Sequence, residues 1–376
     1  MTVIYVHIPF CRKACHYCDF HFSTNLNLVE KMADALAEEG RLWADAWAAQ
    51  GPLKTLYLGG GTPSILPAET LGRMLEGLRS SYDLSAITEL TLEANPDDVT
   101  PEMAQAWRAL GITRVSLGVQ SLNEEVLAGL NRSHTAAQAL QAVAWLKEAG
   151  LPEISVDLIF GLPGQTMAGL QEDVEQMLAL EVPHISLYGL TIEERTVFGR
   201  RTAKGEMREP DEGLLAEMMA WLQERLAQAG YLGYEISNYA LPGHEAKHNS
   251  AYWDGVPYLG LGPAAHSFDG HQRWQNPANN TLYLKGIEAG VLPHSEPEIL
   301  SPEDSFNEGL LTGLRLAKGV DVKQLAERAG VEVPASFWVE ALKWQTRGSL
   351  ILKGTRLFLA PAGRLLADHI TAKLFL

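Results

Sequence analysis

Six short apolar runs recur through the first two hundred residues, each followed by a helical pattern, and this alternation leaves very few folds open. The runs are Val3–Ile8, Thr55–Leu58, Glu89–Leu92, Arg114–Leu117, Ile154–Ile159 and His184–Leu190. Between them, apolar residues spaced for one helix face cover Leu28–Trp47, Thr70–Ser80, Pro101–Leu110, Ala136–Glu148 and Gly169–Leu180. Thr100-Pro101-Glu102 is a helix start, a hydroxyl cap followed by proline and an acid in the first turn. Strands that are apolar nearly throughout, joined by helices, predict a parallel sheet buried on both faces. Such units close toward a barrel or open into a doubly wound sheet, and periodicity does not distinguish the two.

In either architecture the site gathers at the C-terminal ends of the strands, and the unusual residues of this chain fall there. All three cysteines, Cys11, Cys15 and Cys18, follow the first strand at C-x3-C-x2-C spacing. Three thiolates can hold three irons of a cubane and leave the fourth iron open to a small molecule, whereas a fully ligated cluster takes four. The competing reading is zinc held by three Cys and either His16 or His21. Gly59-Gly60-Gly61-Thr62-Pro63 ends the second strand, where missing side chains let backbone approach a ligand; a tight turn explains the same glycines. Glu93 and Asp157 sit in apolar strands, where an unpaired acid is costly. Ribose hydroxyls would satisfy Glu93, as would an ion pair with Arg114 or Arg132. Gln120 and Arg132 complete a polar ring suited to a charged, nucleoside-like ligand, since guanidinium binds a carboxylate through two bonds.

No cysteine remains for a disulfide, which suits a reducing cytosol. Met1-Thr-Val-Ile-Tyr-Val-His lacks the basic start and long apolar stretch of a signal peptide, and no run of 18 apolar residues occurs. The expected location is the cytoplasm, with at most peripheral membrane contact. A net charge of −16 argues against a nucleic-acid partner. Arg12, Lys13, Arg195, Arg200 and Arg201 are candidates for a local basic patch.

The pattern changes past residue 205. Asp211–Ala229 reads as one long helix, and a turn-rich, aromatic segment runs from Gly233 to Asn280. Helices follow near Ser305–Leu316, Val322–Ala329 and Pro334–Arg347. Two short strands come next, Leu350–Leu352 and Leu357–Leu359, then a helix over Pro361–Lys373. Helices followed by a hairpin make a winged-helix-like unit, read in this acidic chain as a packing or docking module. The expected organisation is a core over 1–205, a linking segment over 206–300 and a C-terminal α+β domain over 301–376.

Tyr5-Val-His7-Ile-Pro-Phe-Cys11-x3-Cys15-x2-Cys18, Gly59–Pro63, Glu93-Ala-Asn95-Pro96, Gly118-Val-Gln120, Asn131-Arg132 and Asp157–Pro163 together resemble the radical S-adenosylmethionine superfamily. The resemblance implies a partial (β/α)6 barrel, a [4Fe–4S] cluster on Cys11, Cys15 and Cys18, and S-adenosylmethionine on its open iron. By position it carries cofactor contacts to Tyr5, Tyr17, Gly60, Gly61, Thr62, Glu93, Gln120, Arg132 and Asp157.

Within the superfamily the chain resembles the oxygen-independent coproporphyrinogen III dehydrogenase group. That pattern continues with a further cysteine where this chain has Phe20. The departure, with His248-Asn249-Ser-Ala-Tyr252-Trp253 and Gly260–Ser267, is similar to the sister branch of HemW heme chaperones. The branch implies heme as cargo, apo-hemoproteins such as respiratory-chain acceptors as receivers, and room for a homodimer. Reduced flavodoxin or ferredoxin is the electron donor if radical chemistry occurs, and the alternative function is radical decarboxylation of coproporphyrinogen III. His248 would supply an imidazole to heme iron, and Tyr252 and Trp253 would cover the macrocycle. On residue chemistry alone, His248 and Asn249 equally close a turn, Trp253 equally packs in a core, and His7, His244 and His266 remain alternative ligands.

Overall fold

The computed structural model describes residues 2–376. The six apolar runs form β1 (Thr2–Ile8), β2 (Leu53–Gly60), β3 (Glu89–Ala94), β4 (Arg114–Gln120), β5 (Glu153–Phe160) and β6 (His184–Gly189), paired side by side and in parallel. The crossovers carry α1 (Val29–Trp47), α2 (Ala68–Ser81), α3 (Pro101–Ala109), α4 (Glu124–Gly129), α5 (Ala136–Glu148) and α6 (Met167–Leu178). Thr100 caps α3 as its sequence predicts, its side chain accepting from Met103 N at 3.1 Å.

Alternation along the strands divides the sheet's faces. Leu56, Leu58, Leu92, Val115, Leu117, Val156 and Leu158 pack with the helices in one continuous core. Intervening positions on the other face are polar: Thr55 and Tyr57, Thr91 and Glu93, Arg114 and Ser116, Ser155 and Asp157, His184 and Ser186. The expectation of strands apolar on both faces therefore holds on one side only. The other side is the polar lumen of a sheet that curls on itself.

After β6 come α7 (Val197–Ala203), α8 (Glu212–Gln228), β7 (Leu232–Gly233), β8 (Asn238–Ala240), α9 (Lys247–Trp253), β9 (Tyr258–Leu261), β10 (His266–Phe268), β11 (Gln272–Gln275), α10 (Asn280–Glu288) and β12 (Glu298–Ile299). These strands extend the same sheet in the order β12-β11-β10-β9-β1-β2-β3-β4-β5-β6-β8-β7. Residues 206–300 thus widen the sheet at both edges. β9 runs parallel to β1, and β8 runs antiparallel to β6. The sheet does not close on itself, so it is an open barrel.

The chain ends in a second unit with its own core of Phe306, Leu310, Phe337, Trp344, Leu357 and Ile370 among others. Its order is α11 (Pro302–Arg315), β13 (Val320–Asp321), α12 (Val322–Ala329), α13 (Ala335–Thr346), β14 (Leu350–Lys353) and β15 (Arg356–Leu359), a winged-helix order. The expected last helix begins as a 3-10 turn, Pro361–Leu366, and becomes α14 only at Ala367–Ala372. Among the described residues no helix is long and apolar enough to cross a membrane.

Candidate functional site

A cavity of about 580 Å³ opens at the C-terminal ends of the parallel strands. Cys11, Cys15, Tyr17, Cys18, Gly60, Gly61, Thr62, Glu93, Gln120, Arg132 and Asp157 all line it. Of the residues expected to contact S-adenosylmethionine, only Tyr5 does not. Its register partner is Tyr57, one layer beneath the loops, and its hydroxyl lies 3.2 Å from His7 Nδ1. The lining also includes Lys13, Phe20, Phe22, Asn95, Ser116, Gly118 and Tyr188, which motif reasoning did not single out as contacts. Strand alternation alone would have found Ser116, which stands beside Glu93 across β3 and β4.

The glycine loop positions the cysteine loop. Gly60 has φ +107°, and a Cβ there would come within 2.5 Å of His7 Nδ1; at Gly61 a Cβ would meet Phe10 O at 2.6 Å. Gly61 N donates to Ile8 O at 2.9 Å and Thr62 N to Phe10 O at 2.7 Å, so β2's end grips the chain just before Cys11. Thr62 Oγ1 donates to Cys11 Sγ at 3.4 Å. From the other side Asn131 Nδ2 donates to Ala14 O at 2.8 Å, and His16 N to Leu130 O at 3.1 Å.

Arg132 is a buried cation beside the thiols. Its Nη2 donates to Gly118 O at 2.6 Å and Asn95 Oδ1 at 2.7 Å, and its Nη1 to Cys15 Sγ and Tyr17 OH at 3.4 Å each. Burial pushes the Cys11 and Cys18 thiols up to about 11, so the anionic form needs a cationic partner of the kind iron supplies.

Glu93 pairs with neither Arg114 nor Arg132. It accepts from Tyr57 OH at 2.8 Å and Gly60 N at 3.1 Å, and burial raises its pKa to about 7. Asp157 accepts from Ser116 Oγ at 3.1 Å and is raised to about 6, again mainly by burial. Both carboxyls keep acceptor capacity toward a ligand rich in hydroxyl or amino donors.

The donor set fits a cluster better than zinc. The histidines of the zinc reading are engaged elsewhere. His16 Nδ1 lies 2.8 Å from Gly129 O, and His21 Nε2 lies 2.8 Å from Asn280 Oδ1. Three thiols, a buried guanidinium and two acceptor-rich carboxyls around one cavity suit a three-cysteine iron–sulfur cluster and a zwitterionic nucleoside.

The His248 motif forms α9 and lies deeper in the barrel, away from this cavity. His248 is 2% exposed, with Nδ1 2.7 Å from Thr55 Oγ1 and its ring 4.9 Å from that of Tyr57. Its Nε2 has no partner, and burial lowers its pKa to about 3, leaving a neutral imidazole. Tyr252 packs on Tyr258 at 4.4 Å, and Trp253 lies under the Arg315 guanidinium at 4.9 Å. Asn249 is half-buried on the same helix. The expectation that this segment offers a flat face to a macrocycle is not met in this conformation, because the imidazole points into the barrel. The alternative ligands divide as well. His7 Nε2 lies 2.8 Å from His21 O, His244 Nδ1 lies 2.9 Å from Glu153 Oε1, and His266 is exposed.

An open (β/α)6 barrel with this cysteine-lined cavity defines a radical S-adenosylmethionine protein, a class that carries a [4Fe–4S] cluster and S-adenosylmethionine. The radical SAM superfamily model matches residues 5–177, and the HemN C-terminal domain model matches residues 300–366. The heme chaperone HemW of Lactococcus lactis is 38% identical, covering 86% of this chain and 84% of its own. Those of Mycobacterium tuberculosis and Bacillus subtilis are 36% and 33% identical, covering 99% and 98% of this chain and 94% and 98% of their own. The chain belongs to the heme chaperone HemW family. The solved coproporphyrinogen III oxidase HemN of Escherichia coli shares the fold, with a TM-score of 0.84 at 22% identity over 100% of this chain and 90% of that one.

Proposed function

We propose that this protein binds heme and passes it to apo-hemoproteins, respiratory-chain proteins among them. His248 carries the reading. An imidazole tied through Nδ1 to the Thr55 hydroxyl, neutral, and free at Nε2 is prepared as a metal ligand, because the first bond orients the ring and leaves the other nitrogen available. Tyr252 and Trp253 on the same helix would supply apolar surface for a macrocycle once they part from Tyr258 and Arg315.

Cys11, Cys15 and Cys18 hold the cluster. Gly60, Gly61 and Thr62 would let backbone approach S-adenosylmethionine, and Glu93, with free acceptor capacity, would accept from its hydroxyl groups. Gln120, Asp157 and Tyr17 line the remaining length, and Arg132 offsets negative charge near Cys15. When bound and reduced, the cluster supplies one-electron chemistry, with reduced flavodoxin or ferredoxin as the electron source. Phe20 is 70% exposed at the cavity mouth, where the dehydrogenase pattern has a further thiol, which favours the chaperone over coproporphyrinogen decarboxylation.

The test is hemin titration of anaerobically reconstituted protein, followed by absorbance, for wild type and His248→Ala. Product analysis with coproporphyrinogen III and S-adenosylmethionine runs beside it. Saturable hemin binding weakened by the substitution, with no decarboxylated product, is the expected result. Protoporphyrinogen formed without specific hemin binding overturns it.

A further inference from the structure

Helix α9 is seven residues long, too short to persist without help, and both its ends are held from outside. At the N-terminal end, Lys247 N and His248 N donate to the Glu89 carboxylate at 2.9 Å each. At the other end Tyr252 packs on Tyr258 of the barrel sheet, and the C-terminal domain holds the last two residues. Arg315, the last residue of α11, covers the Trp253 ring, and Lys318 pairs with Asp254, the residue that ends α9.

We propose that the C-terminal domain is a latch on α9, so that heme reaches His248 only after the domain lets go. This rests on the heme-chaperone reading above. The His248 Nε2 is enclosed in the barrel behind Tyr57 and Tyr252, leaving a planar macrocycle no approach while α9 is seated. The latch is built to open. The two domains keep separate cores, and beside α9 they meet through a cation–π pair, the Asp254–Lys318 and Arg273–Glu308 ion pairs, and Ala317 N donating to Tyr234 O at 2.9 Å. A second seam lies where Pro361–Leu366 runs along α8 and Arg364 sits beside Gly233 and Tyr239. Junctions of this polar kind favour relative domain motion over a fixed assembly. The closed state also leaves Trp253 Nε1 and Arg315 Nε buried without partners, and opening returns both to water.

The test uses the full chain, with hemin as the probe and Lys318→Glu as the variant, since Lys318 touches neither cavity nor motif. Hydrogen exchange of the α9 amides and the hemin association rate are both expected to rise about fivefold, the scale set by one partly exposed ion pair. The charge swap Asp254→Lys with Lys318→Glu restores both to wild-type values. Unchanged exchange and association in Lys318→Glu overturn the latch. Adding His248→Ala separates the two ideas. If exchange still responds but hemin associates as well without His248, the ligand assignment falls while the domain's hold on α9 stands; if exchange responds and association is lost, both are upheld.

Discussion

Glu89→Gln tests how α9 is seated. The Glu89 carboxylate, buried against an equally buried Arg114, accepts from Arg114 Nε at 3.1 Å and from the backbone N of Lys247 and His248 at 2.9 Å each. Glutamine keeps the size but turns one oxygen into an NH2 group. Either His248 N–H, or Lys247 N–H together with Arg114 Nε, then faces a donor. One buried donor left unpaired costs about 1–3 kcal/mol. Arg114 keeps Glu153 at 3.3 Å and His244 O at 2.8 Å, so only part of the 3–5 kcal/mol for removing a buried ion partner applies, about 1 kcal/mol. A total near 3 kcal/mol is about a hundredfold in local opening. The assay is amide hydrogen exchange at Lys247 and His248, with Leu92 in the helix-side core as the internal reference. Acceleration at α9 by about two orders of magnitude, with Leu92 unchanged, is expected. Exchange at Lys247 and His248 within about threefold of wild type would refute the assignment of Glu89 as the anchor.

Three further outcomes follow from the geometry. Glu93→Gln should weaken S-adenosylmethionine binding to reconstituted protein by about 10- to 100-fold, the range for a hydrogen bond to a charged group. Because the wild-type carboxyl titrates near 7, wild-type affinity should rise as pH increases through that value while the variant stays flat, as read by equilibrium dialysis. Glu39, fully buried among Tyr283 OH, Asn276 Nδ2 and Gly262 N, is raised by burial from 4.5 to about 7. Its contribution is complete below pH 4.5, where folded and unfolded states are both protonated, and is lost as pH rises to 7, by about 3 kcal/mol. Wild type should therefore lose more thermal stability between pH 5 and 7.5 than Glu39→Gln, and equal losses would contradict this. Gly61→Ala should push the loop before Cys11 away from Phe10 O, and iron and sulfide assays after reconstitution should find less than the wild-type complement.

The parallel core and its site were legible because both are written locally. Each strand announces itself by a short apolar run, each crossover by helical spacing, and the chemistry-bearing residues sit where strands end. The cavity then collects Cys11, Glu93, Gln120 and Asp157 from four different strand ends without further information. Tyr5 misled because its motif position is local while its depth depends on register with Tyr57. The partner of Glu93 was missed for the same reason: Tyr57 OH reaches it from the neighbouring strand, 36 residues away.

The segment from 206 to 300 shows the opposite case. Its strands span two to four residues, too few to carry a period of two, and they exist because β1 and β6 offer unpaired edges. Helix α9 carries no local sign that it enters the barrel; Thr55 holds His248 across 193 residues of chain. The sequence by itself determined a parallel α/β core, a three-cysteine loop and a ring of polar residues at the strand ends, since hydrophobic period and strand-end position act over a few residues. Tertiary structure alone decided the polar lumen, the strands added at both edges, and the burial of His248, since these depend on which distant surfaces meet when the sheet curls.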